Sequence, residues 1–334
     1  MPRPALRSAF AIAVALPLCL LASPGHAAWK PERTVELIVG TDPGSGFDRT
    51  ARILQKIWQT QHMLDVPVTV INKPGAGGAI GWTYMNTHPR NGNYLSIMSP
   101  LLLSNNLTGN SPLSFHDTTP VSLLENEEIV AAVYSGSQIK TGGDFIARLK
   151  QDPASVAVGV SGIGGQNHIA LGLVAAASGI DVTKLKVVAF SGSGDVVTAV
   201  IGGHVESTFS PASSVEPQVQ AGRMRAIGVS SEKRLEGVLA NVPTWREQGI
   251  DAVFSNWRGI VGPKGMTADQ IAYWDGIFAK TVATKDWQQE VERQHLTTHY
   301  LDGKATGAFL AQENDKLAQI LKQLGLAGKT AAKQ

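Results

Sequence analysis

The sequence contains one cysteine, and it has no long apolar stretch beyond its first residues. The cysteine, Cys19, lies in the N-terminal segment, so the chain after that segment cannot form an internal disulfide and needs no reducing environment. Both features suit a protein that works outside the cytoplasm. No apolar stretch, the short one in this segment included, is long enough to cross a bilayer, which argues against a membrane-embedded chain.

Residues 1–27 have the pattern of a secretory signal peptide. Arg3 and Arg7 precede a short apolar run, and small residues follow it up to Ala27. We predict that this segment is cleaved after Ala27 and that the mature protein is exported to the periplasm.

An excess of charge of either sign is also missing. The full chain has 29 Lys and Arg and 27 Asp and Glu. The leader carries two of the positive residues and no negative residue. The mature chain is therefore formally neutral. Because nucleic-acid-binding proteins present clusters of basic residues, and the sequence has no basic run, a nucleic-acid partner is excluded.

Short β-branched runs alternate with amphipathic helical patterns through most of the chain. This alternation predicts an α/β fold with mainly parallel sheets. The predicted strands are 34–40, 66–72, 94–100, 155–161, 186–190, 205–210 and 224–230. The predicted helices are 48–62, 142–151, 166–178, 195–202 and 212–221, and from Thr267 onward the pattern is helical, opening with a capping box of Thr267 and Gln270.

The length after the leader exceeds the usual size of a single core and predicts two lobes. We place the first lobe at 28–124 plus 256–334 and the second at 125–255. The runs EEIVAAVY (127–134) and SNWRGIVGPKG (255–265) are the predicted strands that cross between them.

Glycine is concentrated at four predicted strand-to-helix junctions. They are the first loop (40–48, GTDPGSGFD), the second loop (72–81, NKPGAGGAIG), the third loop (161–168, SGIGGQNH) and the fourth loop (191–195, SGSGD). Exposed backbone N–H groups at helix N-termini favour anions, and ligands of open α/β sheets bind at the carboxyl ends of the strands. Two loops come from each lobe, so we expect them to face each other across a cleft.

The sequence gives little support for nucleotide binding, nucleophilic catalysis or a metal site. The GAGGAIG stretch departs from a dinucleotide fingerprint because Ile80 stands where glycine is needed, and no loop ends in the Gly-Lys-Ser/Thr of a phosphate loop. No G-x-S-x-G elbow is present. His295 and His299 would share a helical face, but a zinc site needs a third ligand. We therefore predict no catalytic residues, no metal and no cofactor.

An ordered series of motifs resembles a known family. The stretches PGSGFDRTAR, NKPGAGGAIG, FSGSGDVVTAVIGGHVE, AGRMRAIGVSSEKR and VPTWREQGIDAVFSNWRGIVGPKG resemble, in this order, the tripartite tricarboxylate transporter receptors, also called the Bug or TctC family. The resemblance covers nearly the whole mature chain. The glycine loops alone would be weak support, but the ordered series is specific.

The resemblance implies a fold and a function. The fold is that of a type II-like periplasmic binding protein, with two α/β lobes, a cleft between them and two crossing strands. Such receptors are non-enzymatic and usually monomeric; they close on a small organic di- or tricarboxylate and deliver it to a membrane permease. The alternatives are an enzyme, a hydrolase or isomerase acting on a carboxylated substrate in the same cleft, and a receptor that presents its ligand to a sensor protein.

The resemblance also implies ligand-binding positions, where the family holds carboxylates largely through backbone amides. In the first lobe these are Gly44, Ser45, Gly46, Phe47 and Asp48, then Ala76, Gly77 and Gly78. In the second lobe they are Ser161, Gly164, Asn167 and His168, then Ser191, Gly192, Ser193 and Gly194.

The chain departs from the family pattern in the first loop and at two later positions. In the first loop Ser45 adds a hydroxyl, and Phe47 places an aromatic wall, as in some tricarboxylate-type members, where the common pattern has a small polar residue. Ser210 replaces a common aspartate, which disfavours a ligand with an ammonium group. Arg258 stands where many relatives have tyrosine. It could pair with a distal carboxylate of the ligand, or it could pair with a structural acid; the sequence leaves both open.

Two aspartates in the first loop need an explanation, because the loop is expected to bind an anion. We interpret Asp48 as the N-cap of the following helix; the alternative is that it accepts a hydroxyl or ammonium group of the ligand. Asp42 is expected to brace the turn before Pro43.

Overall fold

The structure is a computed structural model that describes residues 29–190 and 192–328. The predicted signal peptide, Cys19 and the last six residues lie outside the described residues. No helix within the described ranges is both long and apolar enough to span a membrane.

Strands and helices alternate along the chain. The strands are β1 (Val35–Val39), β2 (Val68–Asn72), β3 (Tyr94–Met98), β4 (Thr118–Tyr134), β5 (Val158–Val160), β6 (Val187–Ala189), β7 (Ser207–Pro211), β8 (Met224–Val229), β9 (Ser255–Pro263) and β10 (Thr297–Leu301). The helices are α1 (Gly46–Thr60), α2 (Ala79–Asn86), α3 (Leu101–Leu107), α4 (Gly142–Gln151), α5 (Gln166–Ala177), α6 (Ser193–Ile201), α7 (Ala212–Gln220), α8 (Ala268–Val282), α9 (Lys285–Arg293) and α10 (Gly303–Gln323).

The long strand β4 belongs to two half-sheets. Its first part, up to Glu128, pairs with β9 and β10, and its second part, from Ile129, pairs with β7 and β8. The strand order is β2-β1-β3-β9-β4-β10 in the first half-sheet and β6-β5-β7-β4-β8 in the second. Each half-sheet with its helices forms one lobe.

The chain passes between the lobes at two neighbouring places. Strand β4 leaves the first lobe between Glu128 and Ile129. The return is made just before β9, where the Phe254 N–H donates to the Ser230 carbonyl at 2.8 Å and Ser255 then pairs with Glu128. These changes of partner lie near the lobe boundaries predicted at 124/125 and 255/256, and that division stays a prediction.

Buried aromatic side chains fix the helices on the sheets. One face of the first half-sheet is covered by α1 and α8, whose side chains Trp58, Trp274 and Phe278 pack ring against ring, and by α9, which adds Trp287 to the same cluster. The apolar cluster on its other face, which includes residues of α2, α3 and α10, continues into the second lobe. Leu324, just after α10, covers Gly172 of α5. The C-terminal helix therefore contacts both lobes.

The predicted strands and helices up to residue 230 are all present at their predicted positions, within a few residues at each end. The capping box of Thr267 and Gln270 is confirmed at the start of α8. Two predictions are wrong. The last third of the chain is not wholly helical, because β10 pairs with β4 there, and the crossing strand begins at Thr118 rather than Glu127.

Candidate functional site

The strand directions bring the carboxyl ends of both half-sheets together. Strands β1, β2 and β3 are parallel to one another. Strands β3 and β4 are both antiparallel to β9, so they run in the same direction. Because β4 runs from the first lobe into the second, β1, β2 and β3 also point toward the second lobe. Strand β7 is antiparallel to β4 and parallel to β5, which is parallel to β6, so these three run back toward the first lobe. The four glycine-rich loops therefore lie on the edges that the two half-sheets turn toward each other.

The first loop is closed by a serine cap. Ser45 has extended backbone angles, and its Oγ accepts the N–H of Asp48 at 3.3 Å and lies 2.6 Å from the hydroxyl of Thr41. The prediction that Asp48 is the N-cap is wrong. Helix α1 begins two residues earlier, at Gly46, which places Asp48 in its first turn.

The carboxylate of Asp48 holds the first loop together from inside. It accepts hydrogen bonds from the Gly44 N–H at 2.8 Å, from Asn72 Nδ2 at 2.9 Å and from Arg52 Nε at 2.8 Å, and the residue is 1 % exposed. Burial by itself would raise the pKa of Asp48, but these hydrogen bonds hold it below its ordinary value. With three donors already bound, Asp48 is better explained as a structural residue than as a ligand contact.

Asp42 contributes to the same loop through its backbone. Its carbonyl accepts the Ser45 N–H at 3.2 Å, which closes the turn around Pro43, while the residue itself is exposed. Asp42 therefore stabilises the turn as expected, but through its backbone carbonyl and not through its side chain.

Two backbone donors remain available at the start of α1. Within the described residues, no group accepts the N–H of Gly46 or of Phe47. The N–H groups of Gly44 and Ser45 are already used inside the loop. The structure thus narrows the amide donors of the first loop to two neighbouring groups at a helix N-terminus.

The second loop has an unusual backbone. Gly75, Ala76, Gly77 and Gly78 follow one another with φ of 124°, 47°, 60° and 96°. Asn105 of α3 holds this arrangement, because its Nδ2 donates to the carbonyls of Ala76 and Gly77, each at 3.1 Å. With the carbonyls turned toward Asn105, the N–H groups of Ala76 and Gly77 have no partner among the described residues.

The first and second loops also touch. A Cβ on Gly40 would lie 2.5 Å from the Cα of Gly78, so only glycine at position 40 allows the two backbones to approach this closely. The two pairs of free N–H groups therefore belong to neighbouring loops.

In the third loop, His168 is a structural residue. Its Nδ1 accepts the N–H of Gly164 at 3.0 Å, which fixes the loop, and burial lowers the pKa of the imidazole. The side-chain amides of the two residues before His168, by contrast, have no partner among the described residues. Asn167 Nδ2 and Gln166 Nε2 are buried and have no partner in the described part of the chain. They start α5, beside the predicted positions Ser161 and Gly164.

The fourth loop opens α6. Gly192 is its N-cap and Ser193 its first residue, and a Cβ on Gly192 or Gly194 would meet open space. No described group accepts the N–H of Ser193 or Gly194. Ser191, the remaining predicted position, lies outside the described residues.

Arg258 lies in a buried charge network between the lobes. Its Nη1 is 3.1 Å from Glu125 Oε1 and its Nη2 is 2.5 Å from Glu127 Oε2, and all three side chains are almost fully buried. Thr50 of α1 donates to Glu125 at 2.7 Å, and Ser213 of α7 donates to Glu127 at 2.5 Å. The arrangement favours the structural alternative for Arg258 over direct pairing with a ligand.

The arginine nevertheless lies directly behind the first loop. Its Nη2 would be 2.8 Å from a Cβ on Gly46, and its guanidinium carbon is 5.3 Å from the centroid of the Phe47 ring. Burial would lower the pKa of Arg258, but Glu127 and Glu125 raise it, so the guanidinium stays charged.

Histidine and carboxylate groups form no metal site in the described ranges. His299 lies in β10 and His295 lies just beyond α9, where its Nδ1 is 2.6 Å from Glu216 Oε2, so they do not share a helical face. Ser210 is buried and its hydroxyl lies 2.7 Å from that of Thr208.

Several residues that build the site were missed by the sequence analysis. They are Asn72, Asn105, Gln166, Glu125 and Glu127. Asn72 and Gln166 stand inside the glycine loops and could have been included. Asn105, Glu125 and Glu127 carry no local signal, because their partners are distant in sequence.

Comparisons with known proteins identify the family of the chain. The family model described as the tripartite tricarboxylate transporter family receptor, TctC, matches residues 51–326. The chain belongs to this receptor family. Protein BugT of Bordetella pertussis is 27 % identical over 310 residues, which are 91 % of this chain and 93 % of that protein.

Several solved structures show the same fold. A TctC solute-binding protein from Polaromonas is 27 % identical, with a TM-score of 0.77 over 88 % of this chain and 99 % of that one. A protein of R. palustris with adipate has a TM-score of 0.75 at 20 % identity, covering 89 % and 99 % of the two chains. MatC from Rhodopseudomonas palustris with bound malate has a TM-score of 0.71 at 19 % identity, covering 87 % and 100 %.

The predicted fold, an α/β periplasmic binding protein with two lobes, is thus confirmed. The family consists of transporter receptors, which bind their ligands and are not enzymes.

Proposed function

We propose that this receptor binds a small organic di- or tricarboxylate in the periplasm and delivers it to a tripartite tricarboxylate-type permease. The observation that carries the proposal is the set of unbonded backbone N–H groups of Gly46, Phe47, Ala76 and Gly77, in two neighbouring loops at the edge that faces the second lobe. Donors of this kind, at helix N-termini, suit a carboxylate. Relatives with the same fold bind adipate and malate.

The proposed ligand contacts come from both lobes. From the first lobe we propose the N–H groups of Gly46, Phe47, Ala76 and Gly77 as the donors. Gly44, Ser45 and Gly78, whose N–H groups are bonded inside their own loops, shape the site in this proposal. From the second lobe we propose Ser161, Gly164 and Asn167, with Ser191, Gly192, Ser193 and Gly194. In this proposal Asp48, His168 and Arg258 position the loops rather than contact the ligand, in line with their hydrogen bonds.

The donor set is sufficient for useful affinity. A hydrogen bond to a charged group contributes about 1.5–3 kcal/mol. Four of them at the upper end of this range, less the lowest association cost of about 4 kcal/mol, reach about −8 kcal/mol, which corresponds to a dissociation constant near 1 μM. Because no lysine is required, release does not need the separation of a strong ion pair.

A thermal-shift screen of the mature protein against carboxylates and sugars tests the proposal. A ligand at about 100 times its dissociation constant adds about 2.7 kcal/mol to the free energy of unfolding, which raises the melting temperature measurably. We expect at least one hit among di- and tricarboxylates and none among sugars. A screen in which only sugars or cationic compounds stabilise the protein would contradict the proposed function.

A further inference from the structure

His295 occupies a backbone position that glycine normally takes. It follows the last turn of α9 with a φ of 55°, and its N–H and that of Leu296 donate to the carbonyls of Glu292 and Val291 at 3.0 and 2.9 Å. Glycine is preferred at this position because a Cβ disfavours a positive φ. Other helices of the described chain are followed at the equivalent place by a glycine of positive φ, at Gly109, Gly179, Gly203, Gly222 and Gly325. A histidine here strains the backbone, which points to a use for its side chain.

The imidazole of His295 contacts the other lobe. Its Nδ1 lies 2.6 Å from Oε2 of Glu216 in α7, and the Glu216 side chain is 14 % exposed. Helix α9 packs on the first half-sheet and α7 on the second. Arg258 and its two glutamates, in contrast, all belong to strands of the first half-sheet. Within the described ranges, no other pair of a basic and an acidic side chain joins the two lobes.

The segment that carries His295 is also connected to the first loop. Gln294, the residue before it, is buried, and its Oε1 accepts a hydrogen bond from Arg49 Nε at 3.2 Å. Arg49 Nη1 in turn donates to the Gly44 carbonyl at 2.9 Å. A continuous series of contacts therefore runs from the first loop through Arg49 and Gln294 to His295, and from there to Glu216 in the second lobe.

The contact between His295 and Glu216, here called the lobe bridge, is made while the facing loops are accessible. Residues 74–77 of the second loop are exposed, Ile80 is 51 % exposed, and Ile163 of the third loop is 56 % exposed. A ligand held from both lobes requires them to close, and a hinge rotation changes the distance between side chains of different lobes. A bond that is made in the accessible arrangement and lost on closure favours the accessible arrangement.

We infer that the lobe bridge of His295 and Glu216 stabilises the open arrangement of the lobes and thereby lowers the affinity for the carboxylate. Both are positioning residues that act on the lobes and do not contact the ligand. The inference rests on the proposed function and adds a means by which the chain sets its own affinity. Without the bridge, a larger fraction of the ligand-free protein is closed, so that binding becomes tighter.

Titration calorimetry with the carboxylate found in the thermal-shift screen tests the effect on affinity. His295→Gly and Glu216→Gln should each bind it about two- to fivefold more tightly than the parent protein, the range of a partly exposed pair, and the double variant no more tightly than either. His62→Gly is the matched control and should bind like the parent protein. His62 follows α1 with a φ of 51°, and its imidazole has no partner among the described residues. Unchanged or weaker binding in either bridge variant overturns the inference while the proposed function stands.

Urea unfolding without ligand tests the lobe bridge independently of the proposed function. The changes in the free energy of unfolding caused by His295→Gly and Glu216→Gln should be non-additive in the double variant, because either substitution alone removes the contact. The changes caused by His62→Gly and Glu216→Gln should be additive. Additivity of the first pair would show that the bridge does not form in solution and would end the inference, whatever binds in the cleft. If no di- or tricarboxylate binds the parent protein, the proposed function fails and the inference fails with it.

Discussion

At the scale of single residues, the site depends on backbone angles that few side chains allow. Gly77 has φ of 60°, and a Cβ there would lie 2.9 Å from Asn105 Nδ2, the group that orients the carbonyls of the second loop. A β-branched residue would both strain the backbone and displace Asn105. The free N–H groups of the loop would then turn away from the facing lobe.

Gly77→Val should therefore abolish the thermal shift produced by the preferred carboxylate and leave the fold intact, as judged by circular dichroism. Gly179→Val is the control, because Gly179 also has a positive φ, of 75°, but its Cβ would meet open space and it lies at the end of α5 away from the loops. The control should lose stability and keep binding. Unchanged binding by Gly77→Val would remove the second loop from the site.

Glu128, at the point where β4 changes lobes, is expected to make stability pH-dependent. Burial, with smaller contributions from Glu127 and Glu232, raises the pKa of Glu128 from 4.5 to about 7. Between these values the folded state binds the proton and the unfolded state does not, so stability falls as the pH rises through this window and levels off above about pH 7. The decrease in the free energy of unfolding that Glu128 causes is at most about 3 kcal/mol.

Glu128→Gln should consequently be more stable than the parent protein at pH 8 and similar to it at pH 5, measured by urea unfolding. An equal increase in the free energy of unfolding at both pH values would show that the effect does not come from ionisation of this carboxyl group.

At the scale of elements, α1 and α8 begin alike but lie in different places. Ser45 and Thr267 each accept the N–H of the residue three positions on, and the first two N–H groups of each helix have no acceptor among the described residues. What distinguishes α1 is that it begins at the edge that faces the second lobe, where Asp48 also holds the preceding loop through the Gly44 N–H.

Asp48→Ala should lower the free energy of unfolding by about 2–3 kcal/mol, because Arg52, Asn72 and the Gly44 N–H all lose their acceptor. It should also weaken carboxylate binding, since the first loop is no longer held. Thr267→Ala provides the comparison: it should cost about 1 kcal/mol through the lost cap and leave affinity unchanged. Urea unfolding and calorimetry separate the two effects, and an Asp48→Ala variant of normal affinity would contradict the positioning role.

At the scale of the whole molecule, the lobes meet through buried charges. Arg258 and Glu125 connect through Thr50 to α1, and Glu127 connects through Ser213 to α7 in the other lobe. Removing the arginine would leave two carboxylates buried without a counter-charge, which is costly in a low-dielectric interior.

Arg258→Leu should therefore destabilise the protein by about 3–5 kcal/mol. Arg246→Leu, which breaks exposed pairs with Asp251 and Glu232, should change stability by no more than about 1 kcal/mol. Both values are measured by urea unfolding. Equal effects of the two substitutions would mean that the buried network contributes no more than a surface pair.

The sequence by itself determined the local features of this receptor. Alternating β-branched and amphipathic runs predict most strands and helices up to residue 230, since these patterns depend on neighbours one to four residues apart. They did not predict α2, α3 or the first part of β4. The four glycine loops and the family resemblance were readable for the same reason. Asp48 was placed in the right loop, but its role was missed because the helix starts at Gly46, and that start is set by the serine cap and the contact with Asn72.

Only the tertiary structure decided which groups remain free. Whether Arg258 can reach a ligand depends on Glu125 and Glu127, which are more than 130 residues away in the chain. Whether the amides of Ala76 and Gly77 point outward depends on Asn105, nearly 30 residues away. Hydrogen bonds between residues distant in the chain occupy some donors and leave others unbonded, and the periodicity of the sequence carries no information about these partners.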